Sequence, residues 1–306
     1  MYPKLRSKIT NHELLKLLFV TPNYGGTYKY FNVELDYFDK LKYECHIMYI
    51  SDDDIDNVIQ TFKLHNFDCV INLCDGYIGN KDKVPNINFI DVLEQENIPY
   101  TGSSKRVYCL SKSDFVGCQN TPIIYDNIAE VKYPAFVKMN NSGCSESIDE
   151  GSIVHNYDEL INQLTKFNNN YVIQEYIDDN EYTVFIFTNK NGEIVCLDPL
   201  EIKFDKLKTK YLTHDVKLNQ FDDVIYNYDI PNKEDIKNVC VNVYKEMKLD
   251  GYIRMDLRGN KVIDCNSYPE IFGLVEEENL ADSIINKFYN FDDFLFDIIN
   301  GAVNRL

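Results

Sequence analysis

The chain lacks long apolar runs and is poor in basic residues. Each of these shortages argues against one class of protein. No stretch approaches the roughly 18 apolar residues that a membrane-spanning helix needs, and the amino terminus has no apolar leader. We therefore expect a cytoplasmic protein without a membrane partner. Lysine and arginine number 31 against 49 aspartates and glutamates, which gives a formal net charge of −18. Because so acidic a surface repels a phosphate backbone, nucleic acid is not an expected partner.

The spacing of the cysteines and the scarcity of glycine and proline argue against further classes of protein. The nine cysteines are an odd number and form no C-x-x-C pair, so neither a disulfide framework nor a zinc site is indicated. Glycine (13) and proline (9) are too few for a collagen-like or linker-dominated chain. With 44% hydrophobic and 26% charged residues over 306 positions, the sequence predicts a folded protein of two or three domains.

The amino-terminal part alternates short apolar runs with segments of helical pattern. Strands are predicted at residues 14–21, 45–50 and 68–73, and helices at residues 36–41 and 54–65. Alternating strands and helices indicate a parallel sheet that is covered on both faces. Sheets of this type bind ligands at the carboxyl ends of their strands.

From about residue 131 the pattern changes to pairs of short strands joined by tight turns. Residues 182–187 and 194–197 form one predicted hairpin, and residues 252–266 form another with its turn at 258–260. The segment 203–221 is rich in lysine and short of aliphatic residues, so we expect it to bury too little apolar area to fix itself. It is predicted to be a mobile loop.

The second hairpin carries four polar side chains at alternating positions. Arg254 and Asp256 are two apart on one strand. Asp264 and Asn266 are two apart on the next, so both pairs can project from one face. Oxygen ligands at this density suit Mg²⁺. The alternative is a surface hairpin with two cross-strand charge pairs, and the fragment alone leaves both interpretations open.

Lys138 ends an apolar strand and is followed by a polar loop that contains glycine. An ammonium group in this position can reach a phosphate that main-chain N–H groups of the loop also contact. Most strand-end lysines only extend along the surface to keep their charge in water, and the strand alone does not exclude that alternative. Taken singly, Lys112 and Lys210 are weaker signals.

Six sets of segments in a fixed order resemble the ATP-grasp superfamily, and within it the D-alanine–D-alanine ligase group. The segments are 98–104 with 110–112, 133–138 with 143–145, 172–177 with 181–184, 210–212, 251–256 and 264–269. The resemblance implies an α/β and α+β architecture, an ATP-grasp fold with an amino-terminal Rossmann-like domain. ATP is expected between the second and third of three lobes. The predicted lobes are residues 1–108, 109–188 and 189–306.

The resemblance also implies an enzyme that forms a carbon–nitrogen bond and releases ADP. ATP would activate a small-molecule carboxylate as an acyl phosphate, which a small-molecule amine then attacks. A homodimer is a possible assembly. The alternative is a nucleotide-binding regulatory or scaffold protein that retains the fold and has lost the reaction.

The resemblance assigns the nucleotide-binding residues by position. Lys112 and Lys138 match the lysines that hold the α- and β-phosphates, and the loop that ends at Ser145 matches the one that folds over them. Glu181 matches the carboxylate that binds the ribose hydroxyls. The adenine pocket, which main-chain atoms largely line, corresponds to Gln174, Glu175 and Ile177.

The reacting end of the site is assigned in the same way. Lys210 falls in the active-site lid, predicted over residues 203–220, where a lysine reaches the γ-phosphate. Arg254 matches the residue that stabilises charge on the transferring phosphoryl group. The implied ligands of Mg²⁺, with two ions expected and Mn²⁺ as a possible substitute, are Asp256, Asp264 and Asn266. Asp264 is one methylene shorter than the family's usual glutamate, which changes its reach but not the ligand type.

The acceptor end departs from the family. No glutamate follows Gly26 at the family's spacing, because the nearest acid, Glu34, is out of step. Where the family binds the second substrate's carboxylate with a Pro-Gly pair and a serine, this chain has Pro269, Glu270 and Val275. Glu270 would repel a free carboxylate and attract an amine, so we expect a different acceptor. The alternative is that the acids of this region only favour a helix amino terminus.

Overall fold

The computed structural model describes most of the chain as mixed α and β structure. The residues that it describes are 7–11, 13–23, 35–74, 87–141, 145, 147–207, 210–213, 216, 224–273 and 280–305. Within these ranges, no helix is both long enough and apolar enough to cross a membrane. The described strands form three sheets, and helices pack against them.

The amino-terminal sheet is parallel, which confirms the prediction from the alternating pattern. Its strands are β1 (Leu15–Pro22), β2 (Tyr43–Ile50) and β3 (Cys69–Asn72), in the order β2-β1-β3. Helices α1 (Ile55–Leu64) and α2 (Ile87–Gln95) bury their apolar faces in the core beside these strands. Every residue of β3 is buried, so both faces of the sheet are covered at this strand.

The helix predicted at residues 36–41 is wrong. The structure has only a 3₁₀ turn at Leu35–Tyr37, after which the chain turns into β2. Phe38 is 4% exposed and packs edge-on against Phe272 with ring centroids 5.0 Å apart, whereas Leu41 is 87% exposed. Because the burial falls on one aromatic residue and not on a helical stripe, nothing stabilises a helix over so short a segment.

Short helix α3 (Lys105–Tyr108) and a 3₁₀ turn (Lys112–Phe115) lead into a central lobe built on a three-stranded antiparallel sheet. Its elements are β4 (Ala135–Met139), β5 (Ile153–Val154), helix α4 (Tyr157–Leu164) and β6 (Tyr171–Glu175). The strand order is β5-β4-β6. Leu160 of α4 packs with Val137 and Ile173, so the helix covers one face of the sheet.

The carboxyl-terminal sheet has six strands and contains both predicted hairpins. Its strands are β7 (Glu181–Thr188), β8 (Ile194–Cys196), β9 (Leu200–Lys203), β10 (Ile225–Asn227), β11 (Tyr252–Arg258) and β12 (Lys261–Asn266). The order is β10-β9-β7-β11-β12, and β8 pairs with β7. Helix α5 (Lys233–Glu246) packs against one face. Arg258, predicted in the hairpin turn, is instead the last residue of β11, so the turn consists of Gly259 and Asn260.

Helices α6 (Leu280–Phe288) and α7 (Phe291–Arg305) pack against both the first and the last sheet. Phe272 and Phe294 lie in one aromatic core with Phe19 of β1, so the outer two lobes share a core. The division into residues 1–108, 109–188 and 189–306 stays a proposal. The pairing of β7 with β11 favours moving its second boundary to a point just before β7.

Candidate functional site

The register of β11 against β12 brings the four polar side chains of the second hairpin together. Arg254 lies opposite Asn266, and Asp256 lies opposite Asp264. Residues directly opposite one another have Cβ atoms about 4.5–5.5 Å apart. Because the positions alternate along their strands, their side chains share one face of the sheet. The hairpin therefore has the juxtaposition that its residue spacing predicts.

Two neighbours in the same sheet orient Asp256. The Thr183 hydroxyl donates to its Oδ1 at 2.7 Å, and Arg254 Nε lies 3.2 Å from the same oxygen. Thr183 is fully buried on β7, directly opposite Asp256. The sequence reasoning missed Thr183, because its place in the site follows only from the pairing of β7 with β11.

Two lysines reach the same face from the central lobe. Lys112 Nζ lies 3.9 Å from Asp264 Oδ1, and Lys138 Nζ donates to the Ile263 carbonyl at 2.6 Å. Ile263 is the extra residue of a bulge in β12, which leaves it outside the regular ladder with β11. The phosphate-side cluster, defined as these lysines with the four hairpin side chains, therefore lies where β4 meets the β11–β12 hairpin.

Lys138 holds its ammonium group in a buried position. The residue is 3% exposed, and burial lowers its pKa to about 8. The Asp264 carboxylate opposes this shift of the pKa, and the Lys112 ammonium adds to it. Two cations held this close favour the binding of an anion such as phosphate, which would relieve their mutual repulsion.

Asn140 fixes the two lysines relative to each other. Its Oδ1 accepts from the main-chain N–H of Ser113 at 2.9 Å, and its Nδ2 donates to Ser113 Oγ at 3.0 Å. Asn140 directly follows the strand that carries Lys138, while Ser113 directly follows Lys112. The amide therefore ties the 3₁₀ turn with one lysine to the strand with the other.

The oxygen donors of the hairpin fit a hard divalent cation. The main-chain N–H of Cys265 donates to Asp264 Oδ1 at 3.1 Å. That of Tyr268 donates to Asn266 Oδ1 at 3.0 Å, and such oxygens can accept a further bond. Within the described ranges, no group of three or more His, Cys, Asp or Glu residues is placed to hold a metal ion. Two carboxylates and an amide instead suit Mg²⁺, which typically keeps water or phosphate oxygens as its other ligands.

The residues assigned to the nucleoside lie on β6, at the start of β7 and between these strands. Gln174 is buried on β6, and the main-chain N–H of Glu175 donates to the Ile123 carbonyl at 2.8 Å. Glu181 begins β7 and lies directly opposite Arg258. Arg258 Nε is 3.2 Å from Glu181 Oε2, and both side chains are 6% exposed.

Arg258 is the residue of this region that the sequence reasoning missed. Its Nη1 donates to the Ile177 carbonyl at 3.1 Å and to the Tyr176 hydroxyl at 3.4 Å. The guanidinium lies 5.7 Å from the centroid of the Tyr176 ring, and Nη2 donates to the carbonyl of Lys210. A position two residues after Asp256, on the same face of a strand, was the signal that could have identified it.

Two other predicted residues make contacts that do not involve the phosphate-side cluster. Lys210 Nζ lies 3.6 Å from the Asp178 carboxylate, and both side chains are exposed. Ser145 has a φ of +57°, and its carbonyl accepts from the main-chain N–H of Ile148 at 2.9 Å. The roles expected for Lys210 at the γ-phosphate and for Ser145 in the phosphate loop stay predictions.

The lid predicted over residues 203–220 lies partly outside the described ranges, so its mobility stays a prediction, but its described residues bury more apolar surface than the composition suggests. Tyr211 and Leu212 are each 9% exposed, and Val216 is 1% exposed. Leu212 and Val216 pack in an apolar cluster with β9, and the Tyr211 hydroxyl donates to the Asp149 carbonyl at 2.9 Å. Three side chains are therefore buried in a segment whose overall composition is polar.

Most residues that mark the acceptor end lie outside the described ranges. These residues are Gly26, Glu34 and Val275. Glu270 is described, and it is half-buried in the segment that follows β12. The preference of this end for an amine without a nearby carboxylate stays a prediction.

Several known proteins are similar to this chain in sequence or in structure. A D-alanine–D-alanine ligase of Clostridium perfringens (strain SM101) is 27% identical over 189 residues, and the alignment spans 60% of this chain and 60% of that protein. The ligase of Petrotoga mobilis is 26% identical over 290 residues, covering 87% of this chain and 89% of the relative. The crystal structure of the D-alanine–D-alanine ligase from Bacillus anthracis matches at 21% identity with a TM-score of 0.65, over 95% of this chain and 98% of that one.

The structural match confirms the predicted ATP-grasp fold. The family profile described as "D-ala D-ala ligase C-terminus" matches residues 107–269, which is more than half of the chain. The matched residues include both lysines, the hairpin with the oxygen ligands and the nucleoside-side residues. On this match, the chain belongs to the D-alanine–D-alanine ligase C-terminal family.

Proposed function

We propose that this protein is an ATP-dependent, ADP-forming ligase that joins a carboxylate to an amine through an acyl phosphate. The observation that carries the proposal is the convergence of Lys112 and Lys138 on the hairpin that presents Asp264. Paired cations that face oxygen ligands suit a complex of a divalent metal with phosphates. Membership of the ligase family supports the same reaction class.

The chemistry requires activation because a carboxylate at neutral pH has no good leaving group. Transfer of the γ-phosphoryl group of ATP to the carboxylate gives an acyl phosphate and ADP, and attack by a neutral amine then releases phosphate. Phosphoryl transfer depends on positioning and on charge neutralisation more than on covalent help. These needs match a site made of cations and oxygen ligands.

Roles are assigned to the phosphate-side cluster accordingly. Lys112 and Lys138 hold the α- and β-phosphates, and Arg254 stabilises charge on the transferring group. Two Mg²⁺ ions, or Mn²⁺ in their place, would neutralise phosphate charge when bound. Their proposed ligands are Asp256, Asp264 and Asn266.

The nucleoside side and the lid complete the proposed site. Adenine is assigned to Gln174, Glu175 and Ile177. Glu181 is assigned to the ribose hydroxyls and Lys210 to the γ-phosphate after closure of the lid, with Ser145 in the loop over the phosphates. Water must be excluded because it would hydrolyse the acyl phosphate. The bond from Tyr211 to the Asp149 carbonyl supports a lid that closes on the central lobe.

The acceptor is proposed to differ from free D-alanine. No glutamate follows Gly26 at the expected spacing, and Glu270 replaces part of an anion-binding site. Each lost charge-assisted hydrogen bond costs about 1.5–3 kcal/mol. The loss of both would reduce kcat/KM for D-alanine by more than about a hundredfold. An amine-bearing peptide or a polyamine, with no free carboxylate beside the reacting amine, fits this end better.

The test is ADP production from ATP and Mg²⁺ with paired libraries of carboxylates and amines, with D-alanine included as a control. We expect ADP release that needs both a carboxylate and an amine, together with an amide product detected by mass spectrometry. Nucleotide binding without ADP release from any pair would overturn the ligase and favour a regulatory nucleotide-binding protein. Robust D-alanyl-D-alanine formation at millimolar substrate would leave the ligase intact and overturn the proposal about the acceptor.

A further inference from the structure

We propose that Arg258 is a positioning residue that fixes the Glu181 carboxylate for the ribose of the nucleotide and ties the Lys210 segment to the same point. The inference rests on the ribose role proposed above for Glu181. Arg258 lies outside the segments that carry the family resemblance. Through its contacts with Glu181 and with the Lys210 carbonyl, it would link the nucleoside pocket to the predicted lid.

The first support is the burial of the Arg258–Glu181 pair. Arg258 Nε lies 3.2 Å from Glu181 Oε2, and each side chain is only 6% exposed. The two residues face each other directly across the β7–β11 ladder. Burial of a carboxylate is costly without a compensating cation, and the Arg258 guanidinium supplies one. Arg258 therefore fixes the position of the Glu181 carboxylate, whose oxygens can accept from a ribose hydroxyl.

The second support is the number of chain segments that one guanidinium joins. Nη1 donates to the Ile177 carbonyl at 3.1 Å, beside the stacked ring of Tyr176, and Nη2 donates to the carbonyl of Lys210. The first contacts hold the segment between β6 and β7, and the last holds Lys210, which belongs to the predicted lid. Because the five donors of a guanidinium form a rigid fork, a shift of one partner disturbs the others.

The third support is the turn that follows Arg258. Gly259 has a φ of +53°, and its N–H donates to the Asn180 carbonyl at 2.9 Å. The positive φ favours glycine at this position, and a Cβ atom there would also displace the exposed Asp179 side chain, whose Oδ2 would lie 2.5 Å away. The end of β11 is thereby locked to the segment that precedes Glu181, and Arg258 has a fixed base from which to orient the carboxylate.

A positioning role can be separated from a purely structural one by the recognition of the ribose. If Arg258 only stabilised the fold, its variants would lower Tm and leave the relative affinity for different sugars unchanged. If it orients Glu181, its variants also lose the preference for a ribose with both hydroxyls. A hydrogen bond to a charged group accounts for a preference of about tenfold or more.

The experiment measures Kd for ADP and for 2′-deoxyADP, each with Mg²⁺, by isothermal titration calorimetry on the full chain. The wild type is expected to bind ADP about tenfold or more tightly than 2′-deoxyADP. Arg258→Lys keeps the positive charge but cannot hold the Glu181 carboxylate and two carbonyls at once, so the ratio should fall below about threefold. Arg258→Met should abolish the preference and also lower Tm, because it removes the cation that lies beside a buried carboxylate.

Arg305→Met is the matched control. Arg305 also lies over a tyrosine ring, 4.3 Å from the centroid of Tyr100, and donates to the Gly102 carbonyl at 2.6 Å. It lies 3.7 Å from the Asp250 carboxylate. Its loss should lower Tm and leave the wild-type ratio of the two Kd values unchanged.

The outcomes separate the two proposals. A folded Arg258→Lys variant with the wild-type ratio overturns the inference and leaves the ribose role of Glu181 in place. A wild type that binds both nucleotides equally overturns the ribose role and the inference with it, whereas the proposed nucleotide binding stands. Absence of ADP binding by the wild type contradicts the proposed function itself. Should Arg258→Met fail to fold, Arg258→Lys decides the result alone.

Discussion

Lys138 occupies a position that costs free energy when no ligand is bound. The shift of its pKa from 10.5 to about 8 corresponds to about 3 kcal/mol against the charged form in the folded protein. Because the lowered pKa still lies above 7, most of the side chain is charged at neutral pH and the folded state bears that cost. A bound phosphate would offset this cost. The site is therefore less stable without a ligand and has a higher affinity for an anion.

Lys138→Met should therefore separate stability from binding. Methionine fills a similar volume without a charge, and the stability gained offsets the loss of the bond to the Ile263 carbonyl, so Tm should stay unchanged or rise. Kd for ADP should increase by about tenfold or more because a charge-assisted bond to phosphate is lost. Calorimetry and thermal melts measure both. Lys63→Met, at an exposed lysine paired with Glu96, should alter neither quantity appreciably, and a marked fall in Tm with Lys138→Met would contradict the argument.

Asp264→Asn should remove ATP-dependent turnover with little effect on the fold. The carboxylate is 43% exposed and lies 3.9 Å from Lys112, so that pair contributes at most about 1 kcal/mol. Loss of its attraction to the buried Lys138 ammonium adds to the cost, and Tm should fall by a few degrees only. Turnover should drop to background, because an amide is a weaker ligand for Mg²⁺ than a carboxylate. Full activity in this variant would show that the metal assignment is wrong.

Asp198→Asn provides the matched control for that experiment. Asp198 pairs with Lys233 at 2.7 Å and with Lys237 at 3.0 Å. It lies outside the phosphate-side cluster, so its replacement should cost at least as much stability as Asp264→Asn and leave ADP production intact. The comparison shows whether the loss of turnover reflects the position of the carboxylate and not merely the loss of a charge.

At the scale of secondary-structure elements, the hairpins were predictable and the short helix was not. Strand alternation placed residues 252–257 and 261–266 on paired strands, and the observed register sets Asp256 opposite Asp264. That signal is local, because a two-residue period decides which side chains share a face. The predicted helix at 36–41 failed because the environment of Phe38 depends on Phe272, far away in the chain.

The parts of the site that the sequence did not reveal are those that depend on pairing between distant strands. Thr183 and Arg258 acquire their partners only when β7 aligns with β11. The burial of Tyr211 likewise depends on Phe136 and on the Asp149 carbonyl, which belong to the central lobe. The polar composition of residues 203–220 did not predict this burial, because an average over the segment hides a few apolar side chains that have partners elsewhere in the fold.

Tyr211→Ala tests the lid as an element. The substitution removes the bond to the Asp149 carbonyl and the edge-on contact with Phe136, whose centroid lies 5.7 Å away. Tryptic cleavage at Lys206 and Lys210 should accelerate by about tenfold or more, because less apolar area resists local opening. We expect an ATP analogue to slow this cleavage in the wild type and to do so less in the variant.

Tyr157→Ala serves as the control for the lid experiment, since Tyr157 is 58% exposed and lies on α4 of the central lobe. Its cleavage pattern should match the wild type with and without nucleotide. Equal cleavage of the wild-type segment in both states would remove the argument for closure, whatever the variant shows.

At the scale of the whole molecule, the net charge opposes the binding of an anion, whereas one local group of lysines favours it. A net charge of −18 disfavours an anionic ligand at long range. The cluster around Lys112 and Lys138 opposes that field over a short distance only, so an anionic substrate depends on this local group of basic residues. The apolar core between α5 and the carboxyl-terminal sheet, by contrast, contains the Cys118 thiol and the Tyr244 phenol, and burial raises the pKa of both groups.

These buried groups predict that the molecule loses stability in alkali. Burial raises the pKa of the Cys118 thiol to about 12 and that of the Tyr244 hydroxyl to about 12. In the unfolded chain a thiol titrates near 8.5 and a phenol near 10. A raised pKa in the folded state means that unfolding releases protons above these values, so the stabilisation is complete below about pH 8.5 and is lost as the pH rises toward 12.

The free energy of unfolding should therefore fall above about pH 8.5, by about 1.4 kcal/mol per pH unit for each such group once it ionises in the unfolded chain. The lowered pKa of Lys138 has the opposite sign and offsets about one such group between pH 8 and 10.5. Urea titrations at pH 8, 9.5 and 10.5 measure the slope. Cys118→Ala should reduce the slope between pH 9 and 10.5 by about one group, because alanine has no proton to release. The small cavity left by the missing sulfur lowers stability equally at every pH. The prediction is therefore tested by the slope of the unfolding free energy against pH and not by the urea midpoint at one pH. A slope that is unchanged by Cys118→Ala would mean that Cys118 reaches solvent in the folded molecule.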